Sequence, residues 1–163
     1  MELRDFLRAE LAAEIRRRCA AADRRQRLGR TRLPDNQAGV GGGWEAVGPP
    51  HMQRYLRYPA EPEGGGALKL EGDEEPGPLL AAVGARMRGA PFARLLAQLT
   101  SVSVDGARGE VRRFRPGVDY TVAHYGTMAA GKSLNAVLCE VLASAARPRA
   151  AQWWFANTVR APF

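Results

Sequence analysis

Residues 126–133 read "GTMAAGKS" and satisfy G-x-x-x-x-G-K-[ST] letter for letter. How this stretch is read decides the fold. The preceding "DYTVAH" has the β-branched and aromatic character of a strand, and the following "LNAVLCEVLASAA" can be written as a helix. Read as strand, loop and helix, it is a phosphate-binding loop inside an α/β domain. Backbone N–H groups would then surround phosphates, with Gly126 and Gly131 allowing close approach, Lys132 on the β- and γ-phosphates and the Ser133 hydroxyl on Mg²⁺. Read as a turn between two strands, it has none of these roles. Mg²⁺ binding calls for an Asp on a second strand, and no Asp lies between Ser133 and Phe163. Nor do the upstream segments show the βαβ alternation that builds a parallel sheet. The turn is the leading reading, and nucleotide binding through Gly126, Gly131, Lys132 and Ser133 is the alternative.

Just upstream, "VSV", "EVRRF" and "DYTVAHY" read as strands. The Pro116-Gly117 pair makes "EVRRFRPGVDYTVAHY" either a β-hairpin or two strands meeting at a corner. Strand alternation puts Arg113 and Arg115 on one face and Arg112 and Phe114 on the other. An exposed Arg113/Arg115 pair, together with Arg54 and Arg57, is the candidate surface for contacting RNA or an acidic protein. Before these strands, Leu79, Leu80, Val83, Met87, Phe92, Leu95, Leu96 and Leu99 predict one or two helices, broken near Gly89-Ala90-Pro91. Leu3, Phe6, Leu7, Leu11 and Ile15 predict an amphipathic helix over residues 2–18, followed by a basic run that frays into solvent. Residues 19–43 and 59–78 are expected as flexible loops. Residues 44–58 are expected as a loop stiffened by Gly48-Pro49-Pro50. With the sheet following the helices, the expected class is α+β in one domain.

The 163 residues carry 24 Lys and Arg against 17 Asp and Glu, a net charge of +7, and only Lys69 and Lys132 are lysines. That balance suits a phosphate-rich partner such as RNA or a ribosome. Cys19 and Cys139 form neither a metal motif nor a disulfide framework, which points to a reducing compartment. No apolar run approaches bilayer-spanning length, and the N-terminus lacks an apolar signal core. No membrane association is expected, and the expected location is cytoplasm or nucleus. There is no G-x-S-x-G, no RNP aromatic set and no Cys/His finger spacing.

Four segments in order, "LRDFLRAELAAEI", "WEAVGPPHMQRYLRY", "PFARLLAQLT" and "RRFRPGVDYTVAHYG", resemble the C-terminal domain of eukaryotic 2-oxoglutarate- and Fe(II)-dependent prolyl hydroxylases. The pieces that carry the resemblance are W-x-x-x-G-P-P (Trp44 to Pro50) and F-x-x-G-x-D-Y-T (Phe114 to Thr121). The resemblance covers about residues 1–139. It implies two double-stranded β-helix (jelly-roll) domains in tandem in the family. The first holds the iron and uses Fe(II), 2-oxoglutarate and ascorbate; the second is degenerate and serves interaction or stability. It further implies hydroxylation of a small-subunit ribosomal protein and a link to translation termination. A fission-yeast relative controls turnover of a sterol-responsive transcription factor.

For this chain the implied fold is N-terminal helices followed by an incomplete jelly-roll-like sheet. Residues 140–163, "EVLASAARPRAAQWWFANTVRAPF", depart from the pattern, because acidic residues and a Gly-Gly-Phe/Tyr strand would follow. The implied partners are a catalytic dioxygenase domain, in the same chain or separate, and a ribosome-associated protein. Iron in such enzymes needs His-x-Asp/Glu and a distal His on neighbouring strands. His124 is in a suitable strand context, but Gly126 stands two positions on, and His51 is the only other histidine. No catalytic residue, metal ligand or bound cofactor is therefore assigned to this chain.

Overall fold

The apolar spacing of the N-terminal segment produces α1 (Ala9–Arg25) in the computed structural model. The structure describes residues 6–26, 37–49, 51, 53–59, 68, 70, 75–102, 106–121, 133–141 and 152–160. The helix begins later than residues 2–18 imply, at Ala9, and runs further, because the basic run keeps the helical period on its inner side. Ile15, Cys19 and Ala22 are buried there, and so is Arg18, at 2% exposure. Arg18 is tolerated inside because Glu14 accepts from its Nε at 2.6 Å and the Leu70 carbonyl accepts from its Nη2 at 2.9 Å. Residues 19–25, expected at the start of a flexible loop, are thus packed helix. Gln37–Gly39 form a turn, and Gly41 bridges Trp44.

The stretch 44–58, expected as a loop, holds two antiparallel strands, β1 (Glu45–Val47) and β2 (Gln53–Tyr58), in register Glu45↔Arg57 to Val47↔Tyr55. The arginines in "QRYLRY" hide the strand in the sequence, yet Tyr55 and Leu56, on opposite faces, are both buried. The sheet therefore begins before the second and third helices, not after them. Those helices are α2 (Pro76–Arg88) and α3 (Ala90–Thr100), divided at Gly89, with a proline opening each. Gly77 in α2 is where helix and strand come closest, since a Cβ there would run into the Tyr58 ring.

Four further strands follow: β3 (Gly106–Phe114), β4 (Tyr120–Thr121), β5 (Ser133–Val141) and β6 (Gln152–Arg160). The sheet order is β1-β2-β3-β6-β5, with β4 paired to β2 off that path, and every pairing is antiparallel. The class is α+β. β3 and β4 do not form a hairpin with each other. Both lie along β2, in registers Leu56↔Arg113 and Arg54↔Tyr120, so the chain turns a corner through residues 115–119. Within residues 140–163, expected to depart from the family pattern, β6 pairs along the whole of β3, from Gly106↔Arg160 to Phe114↔Gln152. The main core joins Ile15, Cys19 and Ala22 of α1, Trp44, Leu56, Val111 and the Leu79, Leu80, Val83 and Met87 stripe of α2.

Candidate interaction surface

Of the four arginines expected to form a contact surface, the structure keeps only Arg57 outside. Alternation along β3 does place Val111, Arg113 and Arg115 on one side, but that side is buried, at 2%, 0% and 1% exposure. Period-two reasoning says which residues share a face; the packing of α1 and α2 decides which face is inside. The expected exposed Arg113/Arg115 pair is therefore corrected to a buried one.

Each guanidinium there has a carboxylate. Arg113 Nη2 donates to Asp23 Oδ1 of α1 at 2.7 Å. Burial pulls the Arg113 pKa down, opposed by the charge and hydrogen bond of Asp23. Arg115 grips Asp119 at both ends, Nε to Oδ2 at 2.7 Å and Nη2 to Oδ1 at 2.8 Å, with both side chains fully buried. Its backbone N–H also donates to Asp119 Oδ2, at 2.8 Å, and its Nη1 donates to the Ala38 carbonyl at 2.7 Å.

Arg115 therefore joins the 37–39 turn to the corner between β3 and β4. Gly117, at φ +71°, supplies the left-handed residue that the Pro116-Gly117 turn requires, and the Val118 N–H closes it on the Arg115 carbonyl at 3.2 Å. The F-x-x-G-x-D-Y-T residues are thus the covalent and electrostatic parts of a corner. The i,i+4 spacing of Arg115 and Asp119 was a signal for this that sequence reasoning passed over. Nothing local in the sequence points from Arg113 to Asp23, ninety residues away.

On the opposite face, Tyr55 packs against Phe114 at 5.5 Å between ring centroids, with the Arg112 guanidinium 4.7 Å above its ring. Its hydroxyl donates to Glu110 Oε1 at 3.0 Å, and Arg112 Nε donates to the same oxygen at 2.6 Å. Burial pushes the Tyr55 pKa up. Arg57 is exposed and pairs with Glu45 at 3.0 Å, a hydrogen bond that raises its pKa. Arg54 is half-buried on β2. The exposed arginines concentrate instead around α1, at Arg8, Arg16, Arg17, Arg24 and Arg25.

The phosphate-loop alternative also meets the structure. Gly126, Gly131 and Lys132 lie outside the described residues, but Ser133 opens β5. A phosphate-binding loop of this pattern delivers its Lys and Ser into a helix N-terminus. A strand beginning at Ser133, in an antiparallel sheet, removes that site.

Among the described residues, none is placed to hold iron and 2-oxoglutarate. His51 is exposed in the turn before β2, and Gln53 stands two positions on. His124 lies outside the described residues, and Asp119, the nearest carboxylate in sequence, is closed by Arg115. Among the described residues, no three His, Cys, Asp or Glu side chains gather as a metal site. The buried guanidiniums that would suit a 2-oxoglutarate carboxylate hold Asp23 and Asp119.

Residues 1–153 match the family model described as oxoglutarate and iron-dependent oxygenase degradation C-term. The match continues past residue 139, to within the start of β6. The chain is also 34% identical over 155 residues to prolyl 3,4-dihydroxylase OGFOD1 of Ostreococcus tauri, an alignment covering 94% of this chain and 28% of that protein. The chain thus spans a little over a quarter of the length of that relative.

Proposed function

Because the chain belongs to the oxoglutarate and iron-dependent oxygenase degradation C-terminal family, we propose that it is the non-catalytic, partner-binding domain of a prolyl hydroxylase. The observation that carries this reading is the commitment of the motif residues: Asp119 and Arg115 are locked on each other, fully buried, at the β3–β4 corner. In the reading proposed, the sheet is a degenerate jelly-roll that has kept the scaffold and lost the ligand set. Chemistry belongs to an iron-bearing dioxygenase domain, in the same polypeptide or a separate one. That domain uses Fe(II), 2-oxoglutarate and ascorbate to hydroxylate a prolyl residue of a ribosomal protein, with a consequence for translation termination, in the cytoplasm or nucleus. The prolyl 3,4-dihydroxylase name of the Ostreococcus relative supports the prolyl substrate class.

The test has two arms. The 163-residue chain, given 2-oxoglutarate, Fe(II) and ascorbate, is expected to form no iron-dependent succinate above a protein-free control. Native protein from its own cells is expected to yield a dioxygenase domain bearing His-x-Asp, either on the same polypeptide by peptide mapping or as a co-purifying chain. Succinate formed by these residues alone overturns the non-catalytic role. Absence of any dioxygenase sequence from the native material overturns the partner.

A further inference from the structure

The apolar stripe of α3 is wider than the surface that buries it. Phe92, Leu95, Leu96 and Leu99 recur at i, i+3, i+4 and i+7 and share one side of the helix. Leu96 is the one buried residue of α3, which packs on α2. Phe92 and Leu95 are half-buried, and Leu99 is 42% exposed. At the N-terminal end of the stripe, Phe6 sets its ring edge-on to Phe92, with centroids 5.9 Å apart, and is itself 39% exposed. From Phe92 to Leu99 the strip runs about 10 Å along the helix. Exposed hydrophobic residues that stand singly are ordinary, whereas a continuous strip of them marks a contact.

The charge beside the strip has one sign. Residues 76–104 contain Arg86, Arg88 and Arg94 and no Asp or Glu. Arg94 and Gln98, both exposed, border the strip on its solvent side. These features select the occupant. Two-fold pairing of α3 with a second copy would bring Arg94 towards its own counterpart, in a chain of net charge +7. A helix lying in a lipid surface inserts its whole apolar face, and α3 has committed Leu96 to the interior. An apolar centre bordered by one charge is met by apolar side chains bordered by the other. We propose that the flank of α3 formed by Phe92, Leu95 and Leu99, with Phe6, docks an acidic amphipathic helix of a protein partner. The partner's apolar side chains lie on the strip and its carboxylates face Arg94. The proposal rests on the partner-binding role given above and names the surface and chemistry of that partner.

The probe is a labelled helical peptide of about 18 residues, with leucines on one face bordered by glutamates. Its fluorescence anisotropy, titrated with the 163-residue chain, is expected to show saturable binding. A matched peptide with lysines for glutamates, and polyglutamate, are each expected to bind at least about tenfold more weakly. Leu99→Gln is expected to weaken the acidic peptide roughly tenfold, while Leu99→Met keeps it within about twofold. Arg94→Gln is expected to weaken it about threefold at low salt and to reduce its salt dependence. The controls Val40→Thr and Arg57→Gln, exposed and off the strip, are expected to stay within about twofold of wild type. Circular dichroism melts check each fold, and if Leu99→Gln melts early the Arg94→Gln and Leu99→Met results are read instead. No saturable binding by wild type, equal affinity for the lysine peptide, or equal losses in the controls overturns the proposal. So does a wild-type dimer in sedimentation, or binding to phosphatidylserine vesicles, that Leu99→Gln abolishes. Native material without a dioxygenase would leave these titrations unchanged, so the two proposals fail separately.

Discussion

Arg115 and Arg57 stand one strand apart, and each is paired with a carboxylate, yet the two pairs have opposite characters. Arg115 and Asp119 are both fully buried and bidentate, and they close a corner of the chain. Arg57 and Glu45 span adjacent strands with 46% and 54% of their side chains exposed. In the buried pair each charge has given up water and meets its opposite charge only in its partner, so removing one leaves the other charge unbalanced. In the exposed pair, water replaces whatever is removed. The same residue types thus make a structural lock in one place and a solvated contact in the other.

The comparison breaks most sharply at Asp119. Asp119→Ala strands a buried guanidinium and is expected to lower unfolding free energy by about 3–5 kcal/mol in a denaturant titration. A loss below about 1 kcal/mol would make the corner no different from the surface pair. Next in size is Gly77→Ala, expected to cost about 2–3 kcal/mol by overpacking despite the better helix propensity of alanine. The Tyr58 ring is also held against Gly43 and edge-on to Trp44 at 5.1 Å, which limits its retreat. A neutral or raised melting temperature would show that α2 and β2 are not in close contact.

Glu14 sharpens the contrast from between the extremes, since it serves exposed Arg17 and buried Arg18 together. The hydrogen bond from Arg17, then that from Arg18, holds its pKa down at about 2, against an ordinary 4.5. A depressed carboxylate pKa contributes stability that is complete above the unfolded value and lost as pH falls through the folded one. Glu14→Gln is therefore expected to cost about 1–2 kcal/mol at neutral pH. The gap from wild type should narrow below pH 4.5 and close near pH 2. A gap that does not depend on pH would assign the loss to packing rather than charge. The smallest effect is expected at Arg57→Ala, under about 1 kcal/mol and diminishing with added salt.

Local pattern alone determined much of this protein. The helical stripe from Leu79 to Leu99, its break near Gly89, the strand at "EVRRF" and the turn at Pro116-Gly117 were legible because each depends on neighbours within a few residues. So was the family, through segments in a fixed order. Alternation likewise grouped Arg113 with Arg115. What the sequence did not contain was the direction of inside. Only the packing of α1 and α2 on one face of the sheet decided that this pair is core, that Arg18 is buried while Arg16 and Arg17 are not, and that Asp23 is the carboxylate Arg113 meets. The cost of burying a charge depends on what stands opposite it, and for Arg113 that partner arrives from the other end of the chain.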